Sequence, residues 1–366
     1  MNAKTTIPLC KPLLEEEECS AALTVLKSGM LVQGEQVARF EAKSAELLEQ
    51  AHIVACSNGT SALYLALKAL GIKKGDEVLC PALTWPSPAN AIALCGATVV
   101  LVDVDRKSWN MDPAKVPAAL SAHTKAAIVV DQFGMPADYD ALEDALGDIP
   151  LVEDAACSLG SSYRNKACGS LGSIATVSFH PRKIVTTAEG GLCATNRGEL
   201  ATRMRTLRNH GQSRPGEFEI FAHNFRLTEM AAAIGSAQLD RLGFIVDKRR
   251  SLALRYKEKL PKLTWQHEDS AAKSNYQTMG FIVDESDHPS PEAIISALTQ
   301  SGIQAGKLSY DLSALSSLEG HRRIPTAIKE ASRIAAQGLA LPLYPQMTTP
   351  EQDRVINALN DIIGLS

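Results

Sequence analysis

Residues 77–104 read EVLCPALTWPSPANAIALCGATVVLVDV, and from Cys80 to Val102 no side chain carries a charge. An uncharged run of that length is long enough to cross a bilayer as a helix. Pro81, Pro86, Pro88, Asn90 and Gly96 argue against one continuous helix, because proline lacks the amide hydrogen and fixes φ. The stretch reads instead as strand, loop, helix and strand in a buried α/β core.

Working outward, short runs rich in Val, Ile and Ala recur at 53–56, 77–83, 98–104, 126–132, 150–156, 174–180 and 191–195. Helical patterns separate them, which predicts right-handed crossovers and a mostly parallel sheet covered on both faces. Residues 1–245 are expected to form this large domain. From 246 the character shifts to a charged helical stretch at 247–260, strand signals at 277–283 and 339–343, and helices at 290–302 and from Thr349. A smaller α+β domain over 246–366 is expected.

Composition narrows the function. The chain has 366 residues, 45% hydrophobic and 21% charged, enough to bury a large core without staples. Its 37 Lys+Arg against 41 Asp+Glu give a net charge of −4. The densest basic run, Lys248-Arg249-Arg250, lies in a helical pattern and reads as a solvated face. Nucleic acid and membrane are therefore poor partners. Eight cysteines without a CxxC pair suit free thiols in a reducing cytoplasm. The N-terminal MNAKTTIPLCKPLLEEEE is too acidic to read as a signal peptide.

In an open α/β sheet, ligands sit beyond the carboxyl ends of the strands. After 53–56 comes Ser57-Asn58-Gly59-Thr60-Ser61, whose hydroxyls and helix N-terminus suit a phosphate, or serve only as an N-cap. No GxGxxG or GxxxxGK[ST] accompanies it, which leaves dinucleotides and Walker-type nucleotides without their motifs. Trp85, one of three tryptophans, suits a flat ring or a core position. Glu153-Asp154 end an apolar run, placing a carboxylate where burial demands a partner, or where it caps a helix. Lys183 follows 174–180, where a desolvated amine can attack a carbonyl, although most lysines are solvated. Together the four strand ends describe one ligand, with a phosphate, a flat ring, a ring nitrogen and an aldehyde. That ligand is pyridoxal phosphate.

The same residues lie in motifs resembling the sugar aminotransferases of the DegT/DnrJ/EryC1/StrS family, a branch of the fold-type I pyridoxal-phosphate enzymes. The motifs run over nearly the whole chain. They include Asn58-Gly59-Thr60-Ser61-Ala62-Leu63, Pro81-Ala82-Leu83-Thr84-Trp85 and Glu153-Asp154-Ala155-Ala156. Ser178-Phe179-His180-Pro181-Arg182-Lys183, Glu189-Gly190-Gly191, Asn224-Phe225-Arg226-Leu227 and Leu341-Pro342-Leu343-Tyr344-Pro345 continue the series. The resemblance implies a three-layer α/β/α fold and a role for each residue. Lys183 binds the cofactor as a Schiff base and shuttles the proton, Asp154 pairs with the ring nitrogen, and Trp85 stacks on the ring. Gly59, Thr60 and Ser178 hold the phosphate, which Asn224 reaches from the second subunit of a homodimer. His180 and Arg226 are candidates for substrate contacts.

A dehydratase branch of the family carries histidine at the position of Lys183, so the lysine implies amino transfer. The expected reaction moves an amino group from L-glutamate to C4 of a nucleotide-linked 4-keto sugar. The alternatives are a cyclitol or other keto acceptor, a non-catalytic binding or regulatory relative, and a lysine-bearing dehydratase. Two departures stand out. Cys157 occupies a place beside the ring where relatives usually have Gln or His, and a thiol is a weak donor. The segment Lys307-Leu308-Ser309-Tyr310-Asp311-Leu312 lacks the histidine that many relatives place near the sugar.

Overall fold

A computed structural model describes residues 6–283 and 289–364. The uncharged stretch folds as strands Glu77–Pro81 and Leu83–Thr84, helix Ser87–Leu94 and strand Thr98–Val102. Pro88 sits in the first turn of the helix, where no intrahelical partner awaits its missing N–H. Gly96, at φ 81°, turns the chain from helix into strand.

Eight strands form the main sheet, in the order His52–Cys56, Gly191–Thr195, Ile174–Ser178, Leu151–Asp154, Thr124–Val130, Glu77–Pro81, Thr98–Val102 and Arg322–Arg323. Gly191–Thr195 runs antiparallel to both neighbours, and the other pairings are parallel. Period-two alternation divides the strand residues between layers. Val99 and Leu101 enter one core while Val100 and Val102 enter another. Helices Gly59–Ala69 and Ser87–Leu94 cover the first face; Glu35–Leu48, Tyr139–Leu146 and Glu229–Asp240 supply core residues to the second. The expected mostly parallel three-layer architecture is what forms. Cys56, Cys80 and Cys193 pack in the first core as small apolar groups, and all eight cysteines are free.

Helix Leu242–Lys259 begins earlier than its charge pattern suggested. It gives Ile245 and Val246 to one core of the main sheet, and Ala253 and Tyr256 to a further core. Strands Thr264–Trp265, Met279–Ile282, Gly338–Leu341 and Gly306–Lys307, in that order, make a second sheet. Helices Pro291–Gln300 and Thr349–Ile363 contribute to the same core. Thr348 and Glu351 close a capping box at the start of the last helix.

The Lys248-Arg249-Arg250 run departs from its expected solvated face. Arg249 is only 4% exposed. Its Nε and Nη2 donate to the Tyr276 carbonyl and its Nη1 to that of Leu343, at 2.9–3.1 Å. Arg250 donates to the carbonyls of Ser274 and Gly160. Carbonyls of non-regular segments need donors once buried, and a guanidinium fork supplies several from one side chain. Among the described residues no helix is long and apolar enough to cross a membrane.

Candidate active site

The parallel strands deliver their carboxyl ends to one edge of the sheet. Pairing fixes what lies side by side there: Cys56 opposite Gly191, Gly191 opposite Ser178, Thr176 opposite Asp154, and Asp154 opposite Val130. The segments that follow those strands therefore emerge along a common line.

At one end, Asn58 Oδ1 accepts the Ser61 N–H at 2.8 Å, so Asn58 performs the ordinary capping role. The first helical N–H groups, at Gly59 and Thr60, still project beyond the helix with the positive end of its dipole. A Cβ on residue 59 would lie 2.8 Å from Ser178 Cβ, so the helix start and the strand end meet only because Gly59 has no side chain. The hydroxyls of Ser57 and Ser61 lie 3.0 Å apart and those of Thr60 and Ser87 2.9 Å apart. Hydroxyls and free N–H groups thus gather at one helix start, the donor set that could hold a phosphate. The Ser57 N–H donates to the Phe225 carbonyl at 2.9 Å, drawing the 224–226 loop to the same place. Asn224 is exposed there. Arg226 Nη1 donates to Asn209 Oδ1 at 2.6 Å, an amide rather than the carboxylate of a salt bridge.

At the other end, a tight turn follows Ser178. The Lys183 N–H donates to the His180 carbonyl at 2.8 Å and the Arg182 N–H to His180 Nδ1 at 3.2 Å. His180 is thus partly spent on shaping the turn. Burial holds its imidazole below the usual histidine range, against the opposing charge of Glu189. Lys183 Nζ lies 3.1 Å from Cys157 Sγ. Asp154 is buried, and its carboxylate accepts the Ala156 N–H at 3.1 Å. Burial raises its pKa, while the charge of Lys183 and that N–H pull it back.

Two residues without a motif brace this end. Asn275 Nδ2 donates to the carbonyls of Cys157 and Leu159, and Gln277 Nε2 to that of Arg182. Trp85 is 59% exposed and meets Tyr310 edge to face, with ring centroids 5.4 Å apart. Strand pairing of Tyr310–Asp311 with Leu83–Thr84 holds the two rings together. Tyr310 lies in the 307–312 segment that lacks the histidine, and no local pattern there signals that its ring will reach Trp85. The hydroxyl-lined helix start, the exposed indole, the buried carboxylate and the amine are groups that could hold the four parts of pyridoxal phosphate.

Comparison with known proteins agrees. A model of the DegT/DnrJ/EryC1/StrS aminotransferase family matches residues 12–360. A GDP-perosamine synthase of Caulobacter vibrioides is 34% identical over 367 residues, covering 98% of each chain. The crystal structure of the aminotransferase TlmJ from Streptoalloteichus hindustanus is 33% identical with a TM-score of 0.90, over 98% of this chain and 99% of that one. A GDP-4-keto-6-deoxymannose-3-dehydratase with a trapped PLP–glutamate geminal diamine is 25% identical with a TM-score of 0.91, over 96% and 99%. An aminotransferase and a dehydratase thus both share this backbone. By sequence and by structure, the chain belongs to the DegT/DnrJ/EryC1/StrS aminotransferase family.

Proposed function

We propose that the protein moves an amino group from L-glutamate to C4 of a nucleotide-linked 4-keto sugar, with a GDP-sugar as the first acceptor to try. That it is a pyridoxal-phosphate-dependent aminotransferase of nucleotide sugars rests on family membership and on its GDP-perosamine synthase relative. The donor, the carbon and the nucleotide are proposed. The observation that carries it is the Lys183 amine placed near buried Asp154, beside Cys157, at the sheet edge.

When bound, pyridoxal phosphate supplies an electron sink for the carbon that loses its proton. Asp154, shielded from water, would pair with the ring nitrogen and keep it protonated. Gly59, Thr60 and Ser178 would hold the phosphate through N–H and hydroxyl donors, and Trp85 would cover the ring face. Lys183 Nζ would take the proton from one carbon and return it to the other. Cys157 would lie beside the ring. His180 and Arg226 would face the substrates.

A homodimer completes this reading, with Asn224 of a second copy reaching the phosphate; its exposure in one chain supports that role. The second sheet's own core around Tyr256, Phe281 and Leu341 supports a smaller unit at 246–366 beside a cofactor-binding unit at 1–245, with two crossings: Ile7 joins the smaller core and Arg322–Arg323 joins the main sheet. The free cysteines support a cytoplasmic setting.

The test is the visible spectrum of the protein with pyridoxal phosphate, before and after L-glutamate, with Lys183→Ala alongside. Wild type should show a visible band that glutamate abolishes as 2-oxoglutarate forms, and a 4-keto sugar nucleotide should restore it. The variant should lack the normal band. Folded wild type without a band would overturn the assignment of Lys183. A band indifferent to glutamate would overturn the donor. Loss of a sugar hydroxyl without net amine transfer would establish a dehydratase, and a cyclitol acceptor with no affinity for nucleotides would displace the sugar-nucleotide reading.

A further inference from the structure

Cys157 and Lys183 come from different segments, one just after Leu151–Asp154 and the other in the turn after Ile174–Ser178, yet their sulfur and nitrogen are 3.1 Å apart. Both are partly exposed. Burial pushes up the thiols of Cys10, Cys56, Cys80, Cys95, Cys168 and Cys193, which makes them poor targets for oxidants. Cys19 is exposed on helix Glu16–Ser28. Among the described residues, Cys157 is the cysteine whose sulfur lies within hydrogen-bond reach of a lysine amine. The contact is braced, since Asn275 grips the Cys157 carbonyl and Gln277 that of Arg182.

We propose that Cys157 and Lys183 form a redox-sensitive pair, in which peroxide joins their side chains by a sulfur–nitrogen bond and so withdraws the lysine from service. Peroxide first converts the thiol to a sulfenic acid: its O–O bond breaks, sulfur gains a hydroxyl, and one water leaves. The Lys183 ammonium gives up a proton to solvent, the free amine attacks sulfur, the S–O bond breaks, and a second water leaves with a further proton from nitrogen. Thiol, amine and one peroxide become a sulfenamide and two waters. Sulfur gives up two electrons, and the peroxide oxygens accept them. A thiol reductant reverses the link by attack on sulfur, which releases the amine.

The link itself depends only on the contact. Its exclusion by cofactor rests on the proposed role of Lys183 as the attachment point. A bound cofactor and a sulfenamide compete for the same nitrogen, so cofactor-free protein is the sensitive form.

The experiment treats the purified full-length chain, cofactor-free and cofactor-loaded, with hydrogen peroxide and maps peptides by mass spectrometry without reductant. The expected product in the cofactor-free protein is a Cys157 peptide joined to a Lys183 peptide with loss of two hydrogens, separated again by dithiothreitol. Treated protein should take up pyridoxal phosphate at least tenfold less, recovering on reduction. Cys157→Ser should form no link and show the same uptake before and after peroxide, and Cys19→Ser should link as wild type does. Recovery of Cys157 as sulfinic acid or free thiol, with the Lys183 peptide unlinked while Cys19 is oxidised, would overturn the proposal. A link that forms equally in loaded protein would uphold the pair and instead overturn Lys183 as the cofactor's attachment point.

Discussion

Glu153 and Asp154 are consecutive buried acids at the end of one strand, yet they serve opposite settings. Alternation sends their side chains to opposite faces. Glu153 accepts the N–H groups of Gly169, Leu171 and Gly172, at 2.5, 2.7 and 3.3 Å. Behind it lies Asp131, which accepts from Ser158 Oγ, Tyr139 OH and the Ala137 N–H. Asp131, Glu153 and Cys168 bring potential ligand atoms within 4.8 Å of one another, but protein donors already occupy both carboxylates. Asp154 has one backbone donor and a lysine charge nearby. A sealed acid with several N–H donors holds loops together, whereas a sealed acid with few is left to meet something from outside.

The contrast breaks most sharply on activity. Asp154→Asn should lower the glutamate half-reaction on the order of 10²–10³-fold, the usual loss when one preorganised electrostatic partner is removed. Its urea midpoint should stay close to wild type. Glu153→Gln should do the reverse. An amide turns one oxygen acceptor into a donor facing N–H groups, so stability should fall by about 1–3 kcal/mol, read by urea unfolding, while the half-reaction changes little. If Glu153→Gln proved the more damaging to the half-reaction, the assignment of the two acids would be inverted.

Lys183, Asp154, Trp85 and the 57–61 loop were legible because each is local: a polar residue directly after an apolar run needs no knowledge of the rest of the chain. Their convergence on one edge follows from parallel pairing, which the alternation of strand and helix signals already implied. What stayed hidden depends on distant pairing. Tyr310 reaches Trp85 only through the bridge between Tyr310–Asp311 and Leu83–Thr84. Arg249 looked solvated because nothing near it in sequence shows that the Tyr276 and Leu343 carbonyls will face its helix. The run expected to be a strand through residue 132 stops at Val130: the Asp131 N–H still donates to the Asp154 carbonyl, but Gln132–Gly134 then turns away with Phe133 at φ 63°. The bracing amides of Asn275 and Gln277 lie in no motif at all.

The sealed side should also carry the stronger pH dependence of stability. Burial raises both Asp131 and Glu153, and the Asp131 charge raises Glu153 further. A carboxyl raised on folding binds more protons folded than unfolded. Its contribution is fully present below the ordinary carboxyl range, near about pH 4, and is lost as pH rises through the folded value. The stability gap between wild type and Glu153→Gln should therefore narrow between pH 5 and 8. A gap that stays flat over this window and shrinks only on acidification below about pH 4 would show Glu153 to be held ionised by its N–H donors.

Backbone strain divides the two sides as well. Beside Glu153, the left-handed position is Gly169, at φ 99°. On the catalytic side it is Ala188, at φ 68°, pinned by its N–H to Thr186 Oγ1 and by Thr187 Oγ1 to the Glu189 carbonyl. Gly169→Ala should lose about 1–3 kcal/mol, because its Cβ would also fall 2.8 Å from Leu48 Cδ2. Ala188→Gly removes a left-handed alanine penalty of about 1–2 kcal/mol and adds a glycine entropy cost of about 0.5–1 kcal/mol. The variant should thus be more stable by under ~1 kcal/mol, seen as a small rise in urea midpoint. If cofactor affinity falls as stability rises, the strained alanine holds Glu189-Gly190-Gly191 against Ser178 and the strain belongs to the site. If both rise together, Ala188 is a tolerated substitution, and the difference between the two sides lies in their acids alone.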